Sequence, residues 1–283
     1  MIKYTFVSLG IFESFGIRIG GSGLGNILFP WARAIVYAKN NNLQRIQTSW
    51  KTLKFGTIFR RERDKRMYFN LFTGRDGVAG IRKFWLLHFS NKVKMFSGME
   101  NLFDSFIQDH DYVKSELLKI INPYYIKKVE SLDGNSVAIH IRMGDFQIPN
   151  DETVLRDGHW NYRLPLEWYK CIIKKIHKHA NIPIYVFSDG SDQELEEILQ
   201  LENCSRVYFG SAVADMLALS RFKLLISSAS TFSMWASFLG QHSTIWFPGQ
   251  MRQKLINDRY IFEGEVDYDD ELPESIIRVL QHD

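Results

Sequence analysis

An apolar strand between Ser136 and Gln147 runs straight into His140, Arg142, Gly144 and Asp145. A buried strand normally ends in turn residues, whereas this one delivers a titratable ring, a permanent cation, a glycine and a carboxylate. Arg142 keeps its charge at physiological pH and offers a planar fork of donors. That fits a diphosphate whose negative charge grows as it departs. Two plainer readings stand beside it: an Arg142/Asp145 ion pair bracing the loop, and His140 as a satisfied interior imidazole. A second cluster, Phe187 to Asp192, places Asp189 just past a strand, where it could accept hydrogen bonds from a base or a sugar, while Asp192 is placed to cap the next helix. A third, Ser227 to Ser233, combines hydroxyls with the free N–H groups of a helix start, the usual ingredients of an anion site, although Ser230 could simply cap that helix. The fourth is the glycine loop Gly20 to Asn26. A dinucleotide reading of that loop needs an acidic residue about 20 positions later, and Asn40 to Ser49 contains none. The loop is therefore expected to serve a substrate or nucleotide other than NAD, or to be a structural turn.

These groups need strands to carry them and helices to follow. The second half alternates regularly: strands at 136–141, 183–187, 206–208, 223–227 and 243–247, with helices at 165–179, 192–200, 212–221 and 231–239. Such alternation predicts a parallel α/β sheet, and loops after parallel strands gather at one edge, where ligands bind. The first half is weaker in pattern. It predicts a short strand at 15–20, a helix from Ile27 that asparagines 40–42 stop, helices near 78–90 and 111–129, and a strand near 93–96. Asp133-Gly134-Asn135 is the best boundary signal, giving domains 1–132 and 133–283.

With 283 residues and 45% hydrophobic content, the chain can build its core without disulfides. Cys171 and Cys204 have neither redox nor metal spacing, which suits a reducing compartment. Nothing approaches 18 consecutive apolar residues, and the stretch 2–12 is broken by polar side chains and lacks a cleavage site. A soluble cytoplasmic chain is expected. The net charge of +3 is mild. Its basic cluster, from Lys54 to Arg66, leaves open a peripheral contact with the inner membrane face, but a solvated surface is the commoner outcome of such a run. No recognition-helix, zinc-finger or RNA-reading pattern is present, so nucleic acid is not an expected partner. Asp109-His110-Asp111 and Asp267-Tyr268-Asp269 have the spacing of a metal-dependent transferase pair, yet neither follows an apolar strand. No metal is expected.

Taken together the loops resemble a known family, glycosyltransferase family 11, the α-1,2-fucosyltransferases, within the larger α-1,2, α-1,6 and protein O-fucosyltransferase group. Gly23 to Phe29 resembles its Gly-Leu-Gly-Asn-Gln-Leu-Phe segment, and His140 to Phe146 its His-x-Arg-Arg-Gly-Asp-Tyr motif. Phe187-Ser188-Asp189 resembles Phe-Ser-Asp-Asp, and Asp215-Met216 followed by Ser230 to Trp235 resembles the Asp-Met and Ser-Ser-Phe-Ser-Trp-Trp segments. Order and spacing agree from about residue 16 to 247. The chain departs at Ile27, Met143, Gly190 and Met234, where the family has Gln, Arg, Asp and Trp.

The resemblance implies a GT-B-like α/β fold, two Rossmann-type domains with parallel sheets facing a cleft, the first on the acceptor side and the second binding a nucleotide sugar. It implies a metal-independent, inverting enzyme that moves fucose from GDP-fucose to a glycan hydroxyl in an α-1,2 linkage, a role suited to surface polysaccharide synthesis, with no cofactor beyond the donor. Donor contacts are then expected from Gly23, Gly25, Asn26, His140, Arg142, Asp189, Ser230, Thr231, Phe232 and Ser233. Among these Arg142 and the serine turn hold the diphosphate, and His140 and Asp189 serve the guanine end. The general base is sought among Asp145, Asp151, Glu152, Asp157 and His159, without a ranking. Trp160 and Tyr162 are candidates to stack on the acceptor, a glycan that could be lipid-linked. Transfer of another sugar, or nucleotide or glycan binding without catalysis, remains the alternative.

Overall fold

The computed structural model describes residues 1–53, 68–74, 76–256 and 258–281, so the basic stretch 54–66 lies outside the described residues. The chain divides into two compact units, Met1–Lys128 with Ser211–Val213, and Val129–Gly210 with Ala214–Asp283.

The first unit carries β1 (Tyr4–Val7), β2 (Ile17–Ile19), α1 (Leu24–Asn40), β3 (Gln44–Arg45), β4 (Lys51–Leu53), α2 (Gly80–Phe89), β5 (Val93–Phe96) and α3 (His110–Ile120), and α4 (Pro123–Glu130) closes it. Strands β3, β1 and β5 form one parallel sheet in that order, and β2 pairs in parallel with β4. The core here is the apolar side of α1, where Ile27, Leu28, Phe29, Trp31 and Ile35 are buried. The helix stops as expected: the Asn41 backbone N–H and side-chain amide both donate to the Tyr37 carbonyl. The single helix expected at 111–129 is instead two. Ile121 is extended, with φ −64° and ψ 142°, and Asn122 after it stands directly before Pro123, where a proline disfavours helical backbone.

Strand β2 inverts the usual reading of an Ile-Arg-Ile triplet. Arg18 is fully buried, while Ile17 and Ile19 are exposed. The guanidinium donates to the carbonyls of Ser49 (3.1 Å) and Gly20 (2.6 Å). Around Ser49 lie buried Lys83, which donates to its Oγ at 2.6 Å, and buried Glu13, whose carbonyl accepts from it at 2.6 Å. The glycine loop thus starts on a buried charged cluster. Gly21 has φ +96°, and a Cβ there would meet Arg18 Nη1 at 2.2 Å and the Leu9 carbonyl at 2.5 Å. Only glycine fits.

The second unit follows the expected alternation: β6 (Val137–Ile141), α5 (Thr153–Arg156), α6 (Leu166–His179), β7 (Ile184–Ser188), α7 (Glu196–Leu199), β8 (Cys204–Arg206), α8 (Ala212–Leu219), β9 (Leu224–Ile226), α9 (Thr231–Gly240), β10 (Ser243–Trp246), β11 (Glu263–Glu265) and α10 (Glu274–Gln281). All six strands are parallel, in the order β11-β10-β9-β6-β7-β8. Strand β6 is buried along its whole length, which explains why it reads as a continuous apolar run rather than an alternating one. Helix α6 lays Trp168, Ile172, Ile173 and Ile176 against this sheet, all fully buried. Each such side chain stabilises the fold by roughly 1.5–3 kcal/mol.

Two sequence expectations shift. The eighth strand falls at 204–206 rather than 206–208, and the helix expected at 192–200 is regular only over 196–199. The turns before it are held by Ser191 and Glu194, whose side chains exchange bonds with each other's backbone N–H groups at 3.2 and 2.8 Å. This is a capping box. Asp192 points elsewhere, pairing with Arg206.

Candidate active site

Numbered within the second unit, the strand order is 6-5-4-1-2-3, that of a Rossmann-type sheet, and the order reverses between β6 and β9. In such sheets ligands bind outside the carboxyl ends of the strands at this reversal. His140 lies at the end of β6, and Ser227 to Ser233 leads from β9 into α9. The two segments meet. His140 Nδ1 is 2.7 Å from Ser233 Oγ and 2.8 Å from Ser228 Oγ. Ser228 Oγ donates to Ser230 Oγ at 3.0 Å, and the Ser233 N–H donates to Ser230 Oγ at 3.3 Å. Ser230 therefore caps α9 and also joins the network. Ala229, between them, is left-handed at φ 59°, with its N–H donating to Ser227 Oγ. A non-glycine residue in that region is strained, and such strain gathers at functional sites. Beneath the turn, the buried Tyr169 hydroxyl donates to the carbonyls of His140 (3.2 Å) and Ser227 (3.5 Å), tying the ends of β6 and β9 together.

The Phe232 ring lies 5.0 Å from the His140 ring. Burial, and next the positive charge of Arg142, push the His140 pKa from 6.5 down to about 3. The unfolded chain therefore takes up this proton first as pH falls. A neutral His140 stabilises the fold fully above about pH 6.5 and progressively less toward pH 3. Urea midpoints should decline across that window, and His140→Gln should remove part of the slope. An unchanged slope in the variant would rule out a buried neutral ring.

Next to this network sits a second cluster. Arg142 pairs with Asp189 through Nη1 and with Asp145 through Nη2, and the Met143 N–H donates to Asp189 Oδ1 at 2.8 Å. The ion-pair reading of Arg142 is thus realised, but with two carboxylates rather than one. The guanidinium side chain is 19% exposed and lies 5.2 Å over the Phe146 ring. Gly144 makes room for this arrangement: a Cβ there would fall 2.2 Å from Asp189 Oδ2. Two arginines that sequence reasoning did not single out hold the loops. Arg163 donates to the Phe146 carbonyl (3.1 Å) and pairs with Glu194 (3.1 Å). Arg206 donates to the carbonyls of Ser188 (3.2 Å) and Gly190 (2.6 Å). Their partners are 14 to 31 residues away, so no local pattern marks them.

Two of the departures from the family motif also meet. Met143 is buried in the sheet core, and a Cβ on Gly190 would lie 2.8 Å from its Cγ. The missing side chain at 190 is what admits the methionine.

The remaining candidates are placed differently. Gly23, Gly25 and Asn26 lie at the start of α1 in the first unit, where Gly23 is the N-cap. Asp151 caps the Thr153 N–H at 2.9 Å. Glu152 accepts from the Tyr268 hydroxyl at 2.8 Å, beside the two-point pair of Arg156 with Asp267. Of the carboxylates proposed as base, Asp145 alone is shown in contact with Arg142. Tyr162 packs on the core, whereas Trp160 is 47% exposed under the Arg252 guanidinium. Thr231 and Phe232 open α9, both half-buried. Among the described residues, no group of three or more His, Cys, Asp or Glu side chains is arranged to hold a metal ion, and no helix is long and apolar enough to cross a membrane.

The unit is thus a Rossmann-type sheet with Arg142, His140 and the serine turn at the carboxyl edge of its strands, the edge where sheets of this kind bind ligands. Residues 80–254 match the family model described as glycosyl transferase family 11. The chain belongs to that family, and its enzymatic class is glycosyltransferase. No curated protein matches it in sequence. Similar solved structures include the NodZ α-1,6-fucosyltransferase of Bradyrhizobium co-crystallised with GDP, at 13% identity over 87% of this chain and 95% of that one with a TM-score of 0.46. A mutant of Arabidopsis thaliana FUT1 in complex with GDP is similar at 12% identity over 91% and 73%, TM-score 0.49. POFUT1 in complex with GDP is similar at 12% identity over 95% and 98%, TM-score 0.46.

Proposed function

We propose that this chain transfers fucose from GDP-fucose to a hydroxyl of a glycan by direct, inverting displacement at the anomeric carbon, without a metal ion. The observation that carries this reading is that the Arg142 fork and, through His140, the hydroxyl-rich turn Ser228 to Ser233 both stand at the carboxyl end of β6. Charge develops on the departing diphosphate, and fixed donors aimed at that position lower the barrier without reorganising. Arg142 and the serine turn would receive the diphosphate, while His140, neutral and flanked by Phe232, would meet the nucleoside. Asp145 is engaged by Arg142, Asp151 by a helix cap and Glu152 by a tyrosine, so the base is sought among Asp145, Asp151, Glu152, Asp157 and His159 without a ranking. Thr231 would add the contacts of the α9 N-terminus. The acceptor would be a surface-polysaccharide glycan, free or lipid-linked, joined α-1,2, and the protein would work in the cytoplasm or at the inner membrane face.

A thermal-shift screen tests the donor. GDP and GDP-fucose at about 100 times their dissociation constant should add roughly 2.7 kcal/mol of stability, with UDP and CMP well behind. Release of GDP from GDP-fucose in the presence of EDTA and glycan acceptors tests the chemistry. A preference for UDP or CMP would sink the donor assignment, and GDP binding without release or transfer would make the protein a binder.

A further inference from the structure

The loop that follows β10 leaves from the same edge of the sheet as the loop that follows β6. Two strand spacings separate their starting points, roughly 10 Å. The first of these loops carries Arg252 and the second carries Trp160, and the Arg252 guanidinium stands 3.6 Å from the centroid of the Trp160 ring. This contact is built rather than incidental. Gln250, buried between the loops, donates to the carbonyls of Leu155 (2.5 Å) and His159 (3.2 Å). Gly249, at φ +80°, lies so close to Arg156 that a Cβ would meet its carbonyl oxygen at 2.2 Å.

Arg252 is nevertheless left without a counter-ion. The glutamates of β11 turn to backbone instead: Glu265 accepts from the Met251 N–H at 2.9 Å, and Glu263 accepts through Oε2 from the N–H groups of Leu255 and Ile256 at 2.7 and 2.9 Å, its Oε1 being buried without a hydrogen bond. Among the described residues Arg252 has no ion pair and no hydrogen bond, and its Nε is buried without a partner. Burial lowers its pKa to about 10, with no carboxylate opposing the shift. A half-buried guanidinium costs free energy unless something answers its charge and its donors. The stacked indole answers only part of it. Trp160 itself remains 47% exposed, an unusual amount for so large a ring.

We infer that Arg252 and Trp160 form a saccharide subsite for a sugar that carries a carboxylate, the ring lying on the open indole and the carboxylate on the guanidinium fork. A planar fork matches a carboxylate through two parallel hydrogen bonds. The inference deepens the proposed function, since it makes the acceptor an acidic glycan, and rests on that reading for its biological meaning. The binding itself can be measured apart from it.

The experiment is calorimetric titration of the full chain with a disaccharide ending in glucuronic acid, with its methyl ester, and with glucose 1-phosphate. The acid should bind wild type, and both the ester on wild type and the acid on Arg252→Gln should be weaker by about tenfold or more. Trp160→Ala should weaken acid and ester alike. Arg252→Lys keeps the charge without the fork, so it should retain the fold and still lose affinity, which separates recognition from unfolding. Equal binding of acid and ester, undiminished binding to Arg252→Gln, or no binding of the acid to wild type would each overturn the subsite. Tighter binding of the phosphate than of the uronate would overturn the carboxylate assignment. GDP titrated into the same proteins should bind wild type and Arg252→Gln alike. Loss of GDP binding in wild type alongside intact uronate binding would reject the proposed donor and leave the subsite standing.

Discussion

Arg142→Ala should lower turnover by roughly 10²–10³-fold, about the effect of removing one preorganised donor from a site where negative charge develops. The variant should still fold. The pairs of Arg142 with Asp145 and Asp189 involve carboxylates that are 51% and 30% exposed, and ion pairs this accessible contribute only about 0–1 kcal/mol. The same pairs explain why the effect should be catalytic. Two of the five N–H groups of Arg142 hold the carboxylates, which fix the plane of the guanidinium and leave the other three for a ligand. Arg142→Lys retains a charge but no plane, and should recover only part of the loss. GDP release under saturating donor, alongside a urea melt of each variant, measures both quantities. Turnover within about threefold of wild type would remove Arg142 from the mechanism proposed here. A collapse of the melt would return it to the role of a loop brace.

How far the sequence carries to this site depends on whether the signal is local. Strand β6 is legible because a strand buried on both faces must be apolar throughout, and the residues after it are legible because a strand end ordinarily carries turn residues rather than a cation and a carboxylate. The serine turn and the parallel sheet follow from the same alternation of apolar runs and helices, whereas the order of the strands does not. Arg18 is not legible. An Ile-Arg-Ile strand ordinarily hides its isoleucines, and here the buried partners of the guanidinium, the carbonyls of Ser49 and Gly20, are main-chain groups that leave no trace in residue types. Arg163, Arg206 and Tyr169 fail for a related reason, since each acts by donating to distant carbonyls. The cap at Ser191 was readable from Ser-x-x-Glu, and Asp192 draws attention away from it only because aspartate is itself a good cap. Arg252 shows the converse: it is found by its place in the structure, a guanidinium stacked on Trp160 whose Nε is buried without a partner.

Met143→Arg, which restores the residue that the resemblance places after the first arginine, should destabilise the protein by roughly 3–5 kcal/mol rather than improve it, because it puts an unpaired cation into a dry core. Met143 is only 5% exposed and belongs to the cluster that includes Ile139, Ile141, Val186 and Ala229. Gly190→Asp should cost about 1–3 kcal/mol by overpacking, since its Cβ would press on Met143 Cγ at 2.8 Å. The second change answers the main harm of the first, because in the double variant the arginine gains a carboxylate, while the tight contact at the Cγ of residue 143 stays, since arginine carries that atom too. The double variant should therefore be more stable than the sum of the two losses predicts, by more than the roughly 0.5 kcal/mol expected for independent sites. Chemical denaturation of the four proteins in the cycle supplies the coupling energy. Strict additivity would mean that Met143 and Gly190 are separate substitutions, and that the contact between them is a consequence of neither. A positive coupling would make them one exchange, an apolar contact in place of a charged pair, which leaves Arg142 as the cation that this site presents to the donor.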